Sequence, residues 1–218
     1  MPLLHSCIDD DHSPLHNDNT YSLLAMGTIR IIEGNDYYFD LDDGTQMYPG
    51  DTAYIKNYTP MEGQRAFIYY NLLSKKVNGY DYNAQVIHIQ NIEAKDIYVM
   101  PTAKADSIGD DRINITNMWF ANHHLNIEYQ IMQGQDSSVK HLQSLIVNPD
   151  NDNENDKTDY ITLEFRHNAH NDASQVQGTG FLSFRLDSIA SLMEGKKGLN
   201  IRTRTIYDYI RYTTIDFK

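Results

Sequence analysis

The sequence predicts an all-β protein: a small five-stranded barrel followed by an antiparallel β-sandwich. Three observations predict it. First, period-2 alternation recurs along the chain. It is clearest in Tyr160–His167, where Ile161, Leu163, Phe165 and His167 share one face and Tyr160, Thr162, Glu164 and Arg166 the other. Second, such runs follow one another at short intervals, separated by Gly, Asn, Asp and Pro turns such as Asn168–Asp172. Third, 218 residues suffice for two compact β-domains, and no apolar run approaches the ~20 residues a membrane-spanning helix needs.

The barrel is expected over residues 21–94. Tyr21–Ile32 reads as the first strand and Gly34-Asn35-Asp36 as a turn. Tyr37–Leu41 and Thr45–Tyr48 flank Asp42-Asp43-Gly44, a strong hairpin signal. Pro49–Gly63 reads as irregular, Gln64–Leu73 as an apolar and aromatic strand, and Ser74–Tyr80 as a turn through Gly79. Asn83–Ile92 closes the set, with Gln85, Ile87 and Ile89 opposite Ala84, Val86 and His88. Five strands with their longest interruption after the third suit a closed Greek-key barrel of the OB type.

The sandwich is expected over residues 95–218. Its strands are Ile113–Phe120, Leu125–Met132, His141–Asn148, Tyr160–His167, Gly178–Leu186, Leu199–Tyr209 and a short Thr213–Phe217. Leu125, Ile127, Tyr129 and Ile131 should point inward, and Asn126, Glu128 and Gln130 outward. Gly178–Leu186 should pair with Tyr160–His167, placing Leu182, Phe184 and Leu186 inward and Ser183 and Arg185 outward. Ser188–Glu194 has room for one or two helical turns, and Asp150–Asp159 reads as an acidic loop.

Composition excludes some functions. The net charge of -12 lacks the basic footprint that nucleic-acid binding requires, and opposes non-specific attraction to anionic lipid. A single cysteine, Cys7, leaves no intrachain disulfide and no thiolate cluster for zinc. Sixteen tyrosines against seven Phe and one Trp suit half-buried strands and recognition surfaces alike.

Residues 1–20 carry the address. Leu4-His5-Ser6-Cys7 resembles the end of a bacterial lipobox, with Leu at −3 and a small residue at −1. The Asp9, Asp10 and Asp11 run that follows resembles the export tag of surface lipoproteins in bacteroidete-type Gram-negative bacteria. The expectation is lipidation at Cys7, a polar tether over His12–Thr20, and a trimmed or misassigned start at Met1. The bland alternative is an ordinary thiol in a frayed terminus.

Leu41-Asp42-Asp43-Gly44-Thr45, Glu62-Gly63-Gln64-Arg65, Asn71-Leu72-Leu73-Ser74, Gly79-Tyr80-Asp81, Ala105-Asp106-Ser107-Ile108-Gly109 and Leu163-Glu164-Phe165-Arg166-His167-Asn168-Ala169 form an ordered set. In that order the chain resembles the NigD-like envelope proteins of Gram-negative anaerobes. The resemblance implies an N-terminal OB-like domain, a C-terminal β-sandwich and a lipoprotein signal ahead of both. The family takes its name from a bacteriocin operon, which raises an immunity or competition role. It supplies no catalytic residues to carry over.

The candidate sites follow from residue chemistry. His167 and His170, joined by His123 or His124, would make a hydrolytic metal site if they converged. A strand-end histidine on an apolar face more often bonds a loop carbonyl, so no metal and no cofactor is expected. Asp150–Asp159 is oxygen-rich but fails the EF-hand pattern, with Asn155 at the glycine position and Ile161 at the bidentate Glu position. Glu164 and Arg166, two apart on the outer face, offer an acid–base pair or, as the simpler reading, belong to cross-strand ion pairs. Tyr37, Tyr38, Tyr69, Tyr70, Tyr80 and Tyr82 offer faces for stacking on sugar rings, or pack within the barrel. Nothing resembles a nucleophile elbow or a phosphate-cradling loop. The expected function is a non-enzymatic, lipid-anchored outer-membrane protein, surface-exposed or periplasm-facing, presenting a binding surface to a protein or glycan. The alternatives are a metal-dependent hydrolase and a structural part of an outer-membrane assembly.

Overall fold

In the computed structural model, strands β1 (Leu23–Glu33), β2 (Asp36–Leu41), β3 (Gln46–Asp51), β4 (Arg65–Leu72) and β5 (Tyr82–Ile92) close a barrel in the order β1-β2-β3-β5-β4. The structure describes residues 22–135, 138–150 and 159–217. The chain divides into two compact units between Ala94 and Lys95. Alternation builds the barrel core: Ile29, Phe39, Leu41, Met47, Ile68, Ala84 and Val86 point inward. The Asp42–Gly44 hairpin forms as its sequence demands. Leu41 N–H donates to the Thr45 carbonyl at 2.8 Å, and Gly44 adopts φ 86°. Asp43 Oδ1 accepts from Thr45 N at 2.9 Å, completing the turn.

Register shifts reset the pleat in β3 and β5. β3 runs on through Pro49 and Gly50 to Asp51, with a register shift against β5 between Tyr48 and Asp51. Proline fits there because a bulge position needs no ladder hydrogen bond. In β5, Tyr69 faces His88 while Tyr70 faces Val86, leaving Ile87 as an extra residue. That bulge corrects the expected alternation. Ala84, Val86 and Ile89 are buried and His88 is exposed, because one inserted residue moves every later side chain to the other face.

The second unit holds β6 (Ala94–Asp96), β7 (Tyr98–Val99), β8 (Ile113–Ala121), β9 (His124–Gln133), β10 (Leu142–Val147), β11 (Tyr160–Asn168), β12 (Val176–Arg185), β13 (Gly198–Arg204) and β14 (Ile210–Asp216). One sheet runs β14-β13-β11-β10-β7 and the other β6-β12-β9-β8. Short helices α1 (Thr102–Ala105) and α2 (Ala190–Met193) sit in connections, α2 following a 3-10 turn over Leu186–Ile189. Leu125, Ile127, Leu145, Leu163, Phe165, Leu182, Phe184 and Ile201 fill the space between the sheets. The ring of Phe165 meets that of Phe184 edge-on at 5.9 Å.

Several expectations are corrected here. β12 does not pair with β11; it pairs with β9, Phe184 opposite Leu125, so β11 and β12 face each other across the core. The link at residues 169–175 crosses between sheets instead of folding a hairpin. β11 runs parallel to β13, and β10 parallel to β7, so the larger sheet is mixed. The expected strand Leu199–Tyr209 ends at Arg204, where the chain turns back with Asp208 at φ 66°. The outward residues Asn126, Ser183, Glu164 and Arg166 are buried. Ser183 Oγ donates to Asn126 Oδ1 at 2.6 Å. Beside them the rings of Trp119 and Phe181 meet at 5.5 Å across β9.

Candidate functional site

His141, His167 and His170 gather at one end of the sandwich, but not as a metal cluster. His167 lies on the inward face of β11 near its end and is 1% exposed. Its Nδ1 stands 3.0 Å from the Arg112 carbonyl oxygen, as a strand-end histidine on an apolar face should. Burial, the largest effect, pushes its pKa down from 6.5 to about 4. Its Nε2 meets Nδ1 of His141 at 2.9 Å, and Nε2 of His141 meets Oδ2 of Asp172 at 2.9 Å. His170 turns away, with Nδ1 2.6 Å from the Lys140 carbonyl oxygen. His123 sits in the turn before β9 and His124 opens the strand, whereas Gly134 beyond its far end donates to Asp172 at 2.6 Å. The expected convergence with His167 is therefore not formed. Among the described residues, no group of three or more His, Cys, Asp or Glu side chains could hold a metal ion.

His141 and Asp172 were not singled out in the sequence. His141 sits just before β10, and its meeting with His167 depends on the Gln143–His167 register, which no local pattern specifies.

Glu164 and Arg166 form a buried network rather than an exposed pair. Arg166 Nε donates to Glu164 Oε2 at 2.5 Å, and Asn148 Nδ2 donates to Glu164 Oε1 at 3.1 Å. Arg202 grips Asp110 with both guanidinium nitrogens at 2.9 and 2.8 Å. Arg166 lies 3.6 Å from the same Asp110. Asp110 follows Gly109, whose φ of 81° lets the backbone approach; a Cβ there would lie 2.9 Å from the His167 carbonyl oxygen. Asp111 N–H then donates to that oxygen at 2.8 Å, and Asp111 Oδ2 accepts from Ala169 N at 2.8 Å.

The barrel has a matching clasp. Arg65, 0% exposed, donates two 2.6 Å hydrogen bonds to the Asp42 carboxylate and one of 3.1 Å to Thr28 Oγ1. Glu62 accepts from Ile31 N at 2.7 Å and Arg30 Nη1 at 3.2 Å, so its carboxyl is held below the usual range, chiefly by the Ile31 bond.

The six tyrosines separate. Tyr37 points into the barrel core against Phe39, where burial pushes its phenol up to about 12. Tyr70 and Tyr82 pack on the same core, and Tyr69 lies against His88 at 5.7 Å. Tyr38 and Tyr80 stay half-exposed outside the barrel with their rings 5.5 Å apart. Tyr48 joins them, 5.2 Å from Tyr80, with its hydroxyl donating to Asp36 Oδ1 at 3.0 Å. That bond raises the Tyr48 pKa. The three rings thus form a platform on β2, β3 and the turn before β5. The turn is pinned by Asp81, which donates its N–H to the Gln46 carbonyl at 2.9 Å and accepts Gln46 N–H on Oδ2 at 2.8 Å. Tyr48 was missed because it reads as an ordinary strand tyrosine.

Of the other expected features, Cys7 and Asp9–Asp11 lie outside the described residues, as does the middle of the Asp150–Asp159 loop. Its ends are tied: Asp150 Oδ2 accepts from Thr102 N at 2.9 Å, and Asp159 pairs with Lys197 at 2.5 Å.

Comparison with known proteins decides the family. Residues 26–92 match the NigD-like N-terminal OB domain, and residues 96–217 the NigD-like C-terminal beta sandwich domain. The chain belongs to the NigD-like family. A candidate toxin-related protein from Parabacteroides distasonis is 30% identical with a TM-score of 0.72, over 90% of this chain and 93% of its own. A NigD-like immunity protein from Bacteroides caccae shares the fold at 15% identity and a TM-score of 0.64, over 89% and 92% of the two chains. A candidate lipoprotein from Bacteroides fragilis does so at 9% and 0.69, over 90% and 98%. No curated protein matches the sequence. In this NigD-like chain the ordered motifs act in pairs. Asp42 of one clasps Arg65 of another. The chain after the Ala105–Gly109 motif locks onto the Leu163–Ala169 motif through Asp110 and Asp111. These motifs hold the fold.

Proposed function

We propose that this NigD-like chain is a non-catalytic envelope protein, lipid-anchored through Cys7, that recognises an oligosaccharide through the Tyr38–Tyr48–Tyr80 platform. The platform is the observation that carries the reading. Tyr38 and Tyr48 lie on strands 2 and 3 of an OB-type barrel and Tyr80 on the turn before β5; strands 2 and 3 form the face on which such barrels take up oligonucleotides and oligosaccharides. Half-exposed aromatic rings stack on sugar faces, and the flanking carboxylates suit sugar hydroxyls while repelling nucleic acid. The catalytic alternative loses support because the histidines and the Glu164–Arg166 pair are engaged in structural bonds. The lipoprotein description of one structural neighbour and the immunity description of another agree with an envelope address.

The test is a titration of isotope-labelled protein with oligosaccharides released from the outer membrane of a Gram-negative anaerobe. Shifts should map to Asp36, Tyr38, Tyr48 and Tyr80, and Tyr80→Ala should weaken binding about tenfold. Shifts elsewhere, or none, would remove the platform from the account. The immunity description favours a second reading, a protein partner on the same surface. Stoichiometric co-purification of a protein from native membranes, abolished by Tyr80→Ala, would select it.

A further inference from the structure

Between β3 and β4 the chain runs without strand or helix, and residues of its 52–60 segment wall a cavity of about 340 Å³. Asn35, in the turn before β2, and Tyr37, within β2, complete the lining. The segment is pinned in place. Ile55 N–H donates to the Thr52 carbonyl at 3.0 Å and Tyr58 N–H to the Ile55 carbonyl at 2.9 Å, two turns in succession. Strand β5 holds both ends. The Tyr58 hydroxyl donates to Asn91 Oδ1 at 2.7 Å, and Gln85 Nε2 donates to Asp51 Oδ2 at 2.7 Å. The other Asp51 oxygen accepts from Ala53 N at 2.9 Å. Ile55 and Tyr58 also pack on the barrel core. A cavity held this way needs little ordering to accept a ligand.

The lining has the chemistry of a site for a small polar ring. Ile55, Pro60 and the Tyr58 ring supply apolar surface. Asn35, Asn57 and Thr59 supply side-chain donors and acceptors that no described residue takes up. Tyr37 carries the argument furthest. It is 7% exposed, yet its hydroxyl makes no hydrogen bond within the described residues. Burial first, and Tyr58 second, push its pKa up to about 12, so it remains a donor at neutral pH. A hydroxyl buried so far is matched by a ligand or by water, and the cavity that Tyr37 lines has room for either. Lys56 is the one charged residue of the lining, and it forms no ion pair with any described residue. The volume sits at the lower end of the range for small-molecule sites, which suits one sugar ring.

We propose that this cavity binds a single carboxylated sugar residue of the uronic-acid class, its carboxylate on the Lys56 ammonium and a ring hydroxyl on Tyr37. Side chains alternate along β2, so Tyr37 belongs to the inside of the barrel while Tyr38 carries the platform outside. The cavity is therefore a second site, and it stands whether or not the platform takes up an oligosaccharide.

The test is a titration of the full 15N-labelled chain with the methyl glycosides of glucuronic and galacturonic acid. Methyl glucoside and acetate are the controls. One of the two uronides should shift the amides of Asn35 and of residues 52–59, and bind at least about tenfold tighter than the glucoside. Lys56→Met should reduce uronide binding to the glucoside's level and leave the glucoside's own unchanged. Tyr37→Phe removes only an unbonded hydroxyl, so the fold should hold while both sugars bind about fivefold more weakly. Tyr80→Ala, which breaks the platform, should leave uronide binding as it was. Shifts confined to other residues, a uronide no tighter than the glucoside, or acetate as tight as the uronide would each overturn the proposal. So would uronide binding that Tyr37→Phe leaves untouched, or that Tyr80→Ala abolishes.

Discussion

At the residue scale, buried polar groups decide more than exposed ones. His167 titrates near 4 in the fold and near 6.5 in the unfolded chain. Between those values the unfolded chain binds a proton that the folded site refuses. Stability from this group is therefore full above 6.5 and lost as the pH falls through the window, by about 3 kcal/mol in total. Urea unfolding across that range should show the slope, and His167→Gln should remove it. Asp42→Ala should cost about 3–5 kcal/mol, because it removes the carboxylate that takes two hydrogen bonds from the fully buried Arg65 guanidinium. Chemical denaturation measures it, and Asp42→Asn, still an acceptor, should cost less. The carbonyl bond of His167 was legible in the sequence, since the residue shares a face with Ile161, Leu163 and Phe165. Its bond to His141 was not, because only the register of β10 on β11 brings the rings together. Tyr37 and Tyr38 show the same limit. Alternation separates their faces, but only the barrel reveals that Tyr38 keeps company with Tyr48 and Tyr80.

At the element scale, the strands were legible and their partners were not. Periodicity places β9 and β11 within a residue or two, because a half-buried strand must alternate. It says nothing of the crossing at residues 169–175, which sends β12 to the opposite sheet, since sequence-adjacent strands usually pair. Bulges are the second blind spot. The extra residue Ile87 leaves no mark in a run that alternates on paper. Outward charge misleads in the same way. Glu164, 2% exposed, is covered in a network with Asp110, Arg166 and Arg202. Asp110→Ala should therefore free the connection that carries α1. Hydrogen exchange over residues 102–111 should quicken, with a stability loss of about 2–3 kcal/mol. Unchanged protection there would mean that the arginines do not pin this segment.

At the scale of the whole molecule, each unit has its own core, one around Ile29, Phe39 and Met47, the other around Leu125, Phe165 and Phe184. A fragment of residues 95–218 should thus unfold cooperatively by itself, and calorimetry would show one transition. The net charge of -12 lacks the basic footprint that a nucleic-acid partner would need. The proposed function requires a chain held at a membrane with its barrel available for recognition. Palmitate labelling in a Gram-negative anaerobe, with the gene at its chromosomal locus, tests that most directly. Label on the wild type and none on Cys7→Ala is the predicted result. No label on either would make Cys7 an ordinary thiol and contradict the envelope address on which the proposed function depends.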